Sequence, residues 1–422
     1  MSVFGGQRRE LAESMDRRGV WPAGSPWVRG AVEALPRHEF APERLWQWDG
    51  RTYVPVDRDS DEERWAGLVY GGPYDAAVTR VSAAGAASSS LSCQAVVADM
   101  LDALGVQPGH RVLELGAGTG WNAALLAYRA CAGGGSEAGS GSGAGQVTSV
   151  EVDPWLAEQA RSRLTSADVR VLVETGDGGE GWPPGAPYDR VISTYAVDRV
   201  PWLWVAQCRP GGRIVTPWGW LGHVALTVAG DGSSASGRMR GLAQFMPAHG
   251  TAPGAAFEDV RGTGPAEDER EVRRDLRPLQ EDWHLRFALR VALPELRVRT
   301  AVDEDGVNAW LHDGTSSWAV LSALPDGRTV AHQGGPLRLA DLLEREWDTW
   351  TAMGGPELYD FGMTVEQERQ FVWAWDEITG PRWEFPEPGR SATSAVRSPK
   401  PGERAGAQSP SPVTEGRSSP QH

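Results

Sequence analysis

Lysine is almost missing from this chain of 422 residues: the single one, Lys400, lies in a tail poor in apolar residues. The body of the protein therefore has no Schiff-base lysine, no pyridoxal-phosphate anchor and no lysine of a phosphate-binding P-loop. Cysteine is nearly as scarce. Cys93, Cys131 and Cys208 are far apart and odd in number, which suits neither a disulfide framework nor a structural zinc site. No metal is expected, and a reducing cytoplasm is the expected setting. No stretch reaches the ~18 uncharged apolar residues of a membrane span, and "MSVFGGQRRELAESMDRRG" at the start carries charges where a signal peptide has an apolar core. An excess of positive charge is lacking too: the net charge is −15. A general nucleic-acid binder needs a basic surface to displace counterions, so neither nucleic acid nor membrane is an expected partner.

The length suits two folded units plus ends. Residues 1–80 mix short helical patterns with loops, as in "PWVRGAVEALPRHEFAPERLW", where Pro36 and Pro42 interrupt the helical spacing. Over 81–225, apolar runs alternate with amphipathic segments. The runs are "RVLEL" (111–115), "VTSVEV" (147–152), "VRVLVE" (169–174), "DRVISTY" (189–195) and "GRIVTPW" (212–218). Strands alternating with helices predict an open, mostly parallel α/β sheet. Residues 226–280 read as a connecting region, and its charged part, "GTGPAEDEREVRRDLRPLQEDW", reads as a linker or exposed helix. A tryptophan-rich α+β unit is expected over 281–385, with turns at Asp313-Gly314 and Asp326-Gly327. Residues 386–422 are too polar to fold and are expected to be disordered.

The chemistry starts in "VLELGAGTG". An apolar strand ends in Gly116, Gly118 and Gly120, and a helix follows from about Trp121. Such a loop lets backbone amides approach a ligand, and its usual companion is an acid about 20 positions on that grips ribose hydroxyls. Here Glu151 stands 35 positions after Gly116, with the Gly/Ser run 132–146 between them. Read as an inserted surface loop, which costs little closure entropy, that run removes 15 residues and leaves 20. Asp153 is the alternative; Glu151 is favoured because it ends the apolar alternation. The loop reads GxGxG, not GxGxxG, and carries no basic residue. Glu114 precedes it by two positions, and Asp177 follows the third strand in "TGDGGEGWPP". Three acids at successive strand ends fit a cationic sulfonium, S-adenosylmethionine, better than a pyrophosphate, with Glu114 toward its ammonium and Asp177 toward its adenine.

Together, "SLSCQAVVADMLDALGVQPGHRVLELGAGTGWNAALLA", "VTSVEVDP", "GDGGEGWPPGAPYDRVIST", "CRPGGRIVTPWG" and "ALPRHEFAPE" resemble the protein-L-isoaspartate O-methyltransferases over roughly residues 15–222. The resemblance implies a Rossmann-like S-adenosylmethionine-dependent methyltransferase. Its cofactor contacts would be Glu114, Gly116, Ala117, Gly118, Thr119, Gly120, Glu151, Val152, Asp177 and Gly178. The acceptor would meet Leu91, Ser92, Thr194 and Tyr195, with Ser92 as the catalytic serine holding the acceptor carboxylate. The pattern departs at Gln94, where the family has proline, and at Tyr195 and Val197, where it has small residues. Both departures are on the acceptor side. Farther on, "AWLHDGTSSWAVL" and "QGGPLRLADLLEREWDTWTAMGGPELYDFGMTV" resemble the extension of actinobacterial members that act in ribosomal-peptide (graspetide and lanthipeptide) maturation. That implies methylation of an aspartate in a precursor peptide, an ester that collapses to aspartimide or isoaspartate, and a peptide-modifying enzyme of the same pathway as a partner. The alternatives are isoaspartyl repair and a catalytically inactive cofactor- or peptide-binding homologue.

A carboxylate acceptor is ionised at neutral pH, its ordinary pKa being near ~4, so no general base is needed. Consistent with that, the histidines are scattered, and His223 and His312 read as structural. Ser92 has two readings that are compatible: a hydrogen bond to the acceptor, or the N-cap of the helix that follows.

Overall fold

The computed structural model describes residues 3–132, 145–219, 221–248 and 255–385. Most of the Gly/Ser run 132–146 and the whole of 386–422 lie outside the described residues. Among those described, no helix is long and apolar enough to cross a membrane.

A ten-stranded sheet organises the molecule. Its strands in chain order are β1 (Arg111–Leu115), β2 (Gln146–Glu151), β3 (Leu172–Thr175), β4 (Tyr188–Ser193), β5 (Cys208–Trp218), β6 (Gly222–Val228), β7 (Ser234–Gly241), β8 (Phe361–Glu366), β9 (Gln370–Ala374) and β10 (Arg382–Phe385). In space they run β3-β2-β1-β4-β5-β6-β7-β8-β9-β10. The first five are parallel and the others antiparallel. Val112, Leu113, Glu114 and Leu115 are all fully buried, as expected for a central parallel strand covered on both faces. The helices α1 (Gln94–Leu104), α2 (Trp121–Ala130) and α3 (Pro154–Ser166) belong to this half. Asp153 caps α3 by accepting from the Trp155 and Leu156 amides, with Pro154 at the first helical position. Strand order reverses at β1, between β2 and β4. In open α/β sheets ligands bind beyond the strand C-termini at that reversal.

The fold is thus the Rossmann-like α/β arrangement expected, with a β-rich C-terminal addition. Its partition differs from the sequence expectation in three places. Residues 1–80, read as helices and loops, also contribute to a four-stranded antiparallel sheet, ordered 53–57, 44–48, 77–81, 87–91. Within 226–280, read as a connection, Ser234–Gly241 is β7 of the main sheet, and Asp268–Val272, read as linker or exposed helix, is the edge strand of a second sheet. Its alternating burial, with Val272 inward, is what a polar edge strand shows. Lastly, 361–385 leave the C-terminal unit and extend the main sheet as β8 to β10.

The second sheet has five antiparallel strands, ordered 268–272, 329–334, 318–323, 307–312, 297–302. Its hairpins turn at Asp313-Gly314 and Asp326-Gly327, where both glycines have left-handed φ near 80°. Helices α4 (Trp283–Ala292) and α5 (Leu339–Ala352) share a core with this sheet through Leu285, Leu289, Leu343 and Trp347. The opposite side of α4 sends Phe287 among Trp218 and Phe361 of the main sheet. The added unit is therefore joined to the parallel half of the main sheet by buried aromatic packing rather than by a tether.

Candidate functional site

A cavity of about 770 Å³ opens across the C-terminal tips of β2, β1 and β4. Its floor is the glycine loop. Gly116 has φ +96°, and a Cβ there would meet Thr194 Oγ1 at 2.5 Å and Tyr195 Cδ1 at 3.0 Å, so both backbone conformation and space demand glycine. Thr194 closes the turn by donating its hydroxyl to the Gly116 carbonyl at 2.6 Å. At Gly118 (φ +53°) a Cβ would meet nothing, which leaves open space over the loop on the cavity side.

Glu151 ends β2 and is 4 % exposed. Its Oε2 accepts from the Gly118 amide at 2.9 Å and its Oε1 from the Asp153 amide at 3.1 Å. The carboxylate is thereby held at the loop with acceptor capacity left for hydroxyls. Asp153, the alternative acid, is spent on capping α3 and on an ion pair with Arg80. Asp177 accepts from the Gly179 amide at 2.8 Å and, like Glu151, lies on the cavity wall. Neither carboxylate has an ion-pair partner among the described residues. No arginine, lysine or histidine lines the cavity among the described residues. Two unpaired carboxylates over left-handed glycines, with no basic wall, fit a cation that carries hydroxyls and a polar base. They do not fit a pyrophosphate, whose charge would need amide donors and bases.

Of the residues singled out from sequence, Leu91, Ser92, Gly116, Ala117, Gly118, Thr119, Glu151, Val152, Asp177, Gly178, Thr194 and Tyr195 all line this cavity. Glu114 and Gly120 do not. Glu114 lies under the loop, fully buried, accepting from Asn122 Nδ2 at 2.8 Å and from the Ser149 hydroxyl. Burial pushes its carboxyl up to about 7, against the pull of those two donors. Asn122 itself is on the wall, so Glu114 touches a wall residue without lining the cavity, a correction to its expected place. Gly120 instead caps the N-terminus of α2 and packs against Ala160 and Leu164 of α3.

Ser92 joins the four-stranded sheet to α1. The helix N-cap is Cys93, with no side-chain capping bond, so the Ser92 hydroxyl is not consumed as a cap. Its carbonyl is held from behind by Arg37, whose Nη1 donates at 2.7 Å while Nε donates to the Val69 carbonyl at 3.1 Å. Arg37 lies with its guanidinium 4.9 Å from the Trp121 ring centroid. Burial lowers its pKa to about 10, still leaving it charged at neutral pH. Tyr195 is wedged between two glycines: a Cβ on Gly178 would run into its hydroxyl as one on Gly116 would into its ring. Burial raises this phenol well above its ordinary value, so it stays neutral.

Among the wall residues that went unread in the sequence, three groups matter most. Asn122 sits in the first turn of α2, and the buried acid at Glu114 was the one signal for it. A strap formed by 242–248 crosses the cavity, pinned by Ala243 N to Leu221 O at 3.2 Å, Ala196 N to Met246 O at 2.8 Å and Ala248 N to Ala196 O at 3.2 Å. Being apolar and motif-free, "LAQFMPA" offers no chemical signature. The third is Trp283, the first residue of α4, on the wall from the C-terminal unit.

A family model described as protein-L-isoaspartate(D-aspartate) O-methyltransferase matches residues 7–230. The chain is similar to the protein-L-isoaspartate O-methyltransferase of Methanopyrus kandleri, at 35% identity over 219 residues, covering 51% of this chain and 79% of that one. It is 33% identical over 218 residues to protein-L-isoaspartate O-methyltransferase 1 of Rhodopseudomonas palustris, covering 51% and 71%. Among solved structures, a protein-L-isoaspartate O-methyltransferase aligns over 85% of this chain and 96% of its own at 22% identity and a TM-score of 0.42. One from Plasmodium falciparum in complex with S-adenosyl-L-homocysteine aligns over 57% and 96% at 12% identity and 0.41.

Proposed function

The chain belongs to the protein-L-isoaspartate O-methyltransferase family and is an S-adenosylmethionine-dependent methyltransferase, and we propose that its acceptor is an aspartate side chain of a ribosomal precursor peptide. The observation that carries this reading is Trp283. A unit lying beyond the residues that match the family model puts an aromatic side chain on the wall of the cavity that also holds Ser92 and the glycine loop. The departure at Tyr195, on the cavity wall, supports the same reading; Gln94, buried at the start of α1, does not line the cavity.

S-adenosylmethionine, when bound, supplies a methyl made electrophilic by its sulfonium. The cofactor-side residues of this reading are Gly116 to Thr119, Glu151, Val152, Asp177 and Gly178, with Asn122 held by Glu114. Glu151, fixed by the Gly118 and Asp153 amides, offers acceptors to ribose hydroxyls. Asp177 offers one to the adenine amino group. On the acceptor side the Ser92 hydroxyl donates to one carboxylate oxygen and leaves the other as nucleophile, with Leu91 and Tyr195 shaping the space around it. No residue needs to remove a proton, because the carboxylate arrives ionised. The chain's contribution is orientation and exclusion of water. The strap pinned to Ala196 and Leu221 supplies the second of these. Once the ester has left the cavity, the following backbone nitrogen attacks its carbonyl, the N–H proton and the methoxide depart as methanol, and the cyclic imide opens with water to aspartate or isoaspartate. On this reading a peptide-modifying enzyme of the same pathway supplies the acceptor, in the cytoplasm.

Isoaspartyl repair is the second reading, favoured by the relatives that align over the methyltransferase half. Methyl transfer to matched peptides carrying aspartate or isoaspartate at one position decides between them. Turnover of normal-aspartyl precursor peptides supports maturation. Turnover confined to generic isoaspartyl peptides supports repair. Absence of transfer to either, with cofactor binding intact, leaves the inactive-homologue reading.

A further inference from the structure

The cavity is long in one direction. Glu151 marks its β2 end. Leu221, in the β5–β6 hairpin, marks the other, three strand spacings away or roughly 14 Å at about 4.8 Å each. The far end is where the C-terminal unit arrives. Phe287 of α4 packs edge-on against Trp218 with ring centroids 6.1 Å apart, and a Cβ on Gly222 would meet its Cε2 at 3.3 Å. Trp283, one helical turn earlier on the same face, is therefore carried to the Leu221 end. It is 40 % exposed, and Leu242 of the strap, also on the wall, is 36 % exposed. Large apolar side chains half in water at a cavity mouth are surface available to a ligand.

The charge there is of the opposite sign to the rest of the site. Arg286 lies 4.7 Å from the Trp283 ring centroid. Burial is the one cause that moves its pKa, downward, with no carboxylate opposing it, and it makes no ion pair among the described residues. Tyr74, on another stretch of the wall and 56 % exposed, is paired in the same way with Arg18 at 5.9 Å. Most arginines of the C-terminal unit face acids, as Arg270, Arg274 and Arg338 do. Arg286, stacked beside the mouth of an acidic cavity, does not.

We propose that Trp283 and Arg286 form an acceptor-reading element that selects peptides with an acidic residue beside the methylated aspartate: the flanking carboxylate pairs with Arg286 and its neighbours pack on Trp283. The inference rests on the peptide-acceptor reading above and names the class of peptide. In a protein of net charge −15, an acidic peptide is otherwise repelled at long range. A stacked, unpaired guanidinium at the mouth offsets that locally and fixes register.

The test uses fluorescein-labelled ten-residue peptides with one acceptor, flanked by glutamate or by lysine, and the full-length protein loaded with S-adenosylhomocysteine. Fluorescence anisotropy reads binding, and methyl transfer is measured in parallel with S-adenosylmethionine. The glutamate-flanked peptide should bind roughly ten-fold tighter at low salt, with the margin narrowing as salt screens the pair. Arg286→Glu should abolish or reverse the preference and Arg286→Lys retain part of it. Trp283→Ala should weaken both peptides, with S-adenosylhomocysteine affinity unchanged in every variant. Equal affinities in the wild type, or a preference that survives Arg286→Glu, overturns the proposal. Methyl transfer without a flank preference sinks this inference and leaves the peptide-acceptor reading standing. Arg286-dependent binding with no transfer to any peptide does the reverse.

Discussion

Alanine at Gly178 tests the packing of the cofactor side against a defined partner. Its added methyl would run into the Tyr195 hydroxyl, with Cζ at 3.3 Å and Cε1 at 3.4 Å behind it. The ring cannot simply swing away, because its other side meets Gly116 and Trp204 packs against it edge-on with centroids 6.3 Å apart. Trp204 is itself fully buried and ties its indole N–H to the Gly178 carbonyl at 2.8 Å. Relief must therefore come from the backbone at Asp177-Gly178, on the cavity wall. Overpacking of this kind costs about 1–3 kcal/mol, which is roughly 5- to 150-fold in affinity if it falls on the bound state. Tyr195→Phe removes the clashing oxygen and leaves carbons near ordinary contact. The single Tyr195→Phe variant should bind S-adenosylhomocysteine within about three-fold of wild type. Gly178→Ala should lose at least about five-fold, and the double variant should recover most of it. Isothermal calorimetry on the four proteins gives the coupling energy directly, with melting temperatures as control. An unchanged affinity in Gly178→Ala, or additive losses in the double variant, refutes the wedge.

Three further outcomes follow from the same geometry. The Glu114 carboxyl ionises near 7 in the fold and near 4.5 ordinarily, so the stability this group contributes is full below about 4.5, falls as pH rises to about 7 by on the order of 3 kcal/mol, and is level above. Chemical denaturation across pH should show that slope, and Glu114→Gln should flatten it; an unchanged slope places the titration elsewhere. Arg37→Met leaves the Val69 and Ser92 carbonyls without their donor, at about 1–3 kcal/mol for each buried acceptor. It should lower the melting temperature and raise KM for the acceptor while sparing cofactor affinity; an unaltered acceptor KM separates Arg37 from Ser92. Finally, Cys131 Sγ lies 3.3 Å from the Gly145 carbonyl, so the two ends of the Gly/Ser run already meet. Replacing 133–144 by two or three glycines should leave cofactor affinity within about two-fold, and loss of binding would show that the run does more than connect.

How much of this was readable beforehand depended on whether the signal was local. "RVLEL" became β1 with the same bounds, and the glycine loop, Glu151 and Asp177 converged on one cavity. Strand-tip chemistry in a parallel sheet is written in short contiguous motifs whose spacing survives insertion. Glu114 shows the limit of that logic: sitting two residues before a glycine loop says that an acid is near the ligand, not which way it points. In a strand buried on both faces it points away from the cavity, and Asn122, in the first turn of α2, stands on the wall in its place. The strands at 44–48 and 53–57 were missed because prolines and charges break their alternation, and the other partner of 44–48, 77–81, lies across α-helical sequence. The 361–385 strands were assigned to the wrong layer for a related reason. Nothing in "FGMTVEQERQFVWAW" distinguishes an edge of the second sheet from an extension of the first; what decides it is the antiparallel register of Ser234–Arg238 on Gly362–Glu366, a contact between segments some 130 residues apart. The same non-locality hid the acceptor end. Trp283 and the 242–248 strap acquire a role only when β7 to β10 bring the C-terminal unit back to the methyltransferase half. A truncation at residue 230, where the family match stops, would therefore remove part of the cavity wall, the strap and the partner strand of β6 together. It should abolish folding of the remainder rather than yield a minimal enzyme: with β7 gone, β6 becomes an open apolar edge in which Val224, Leu226 and Val228 lose their cover. A soluble, cofactor-binding fragment 1–230 would contradict that coupling.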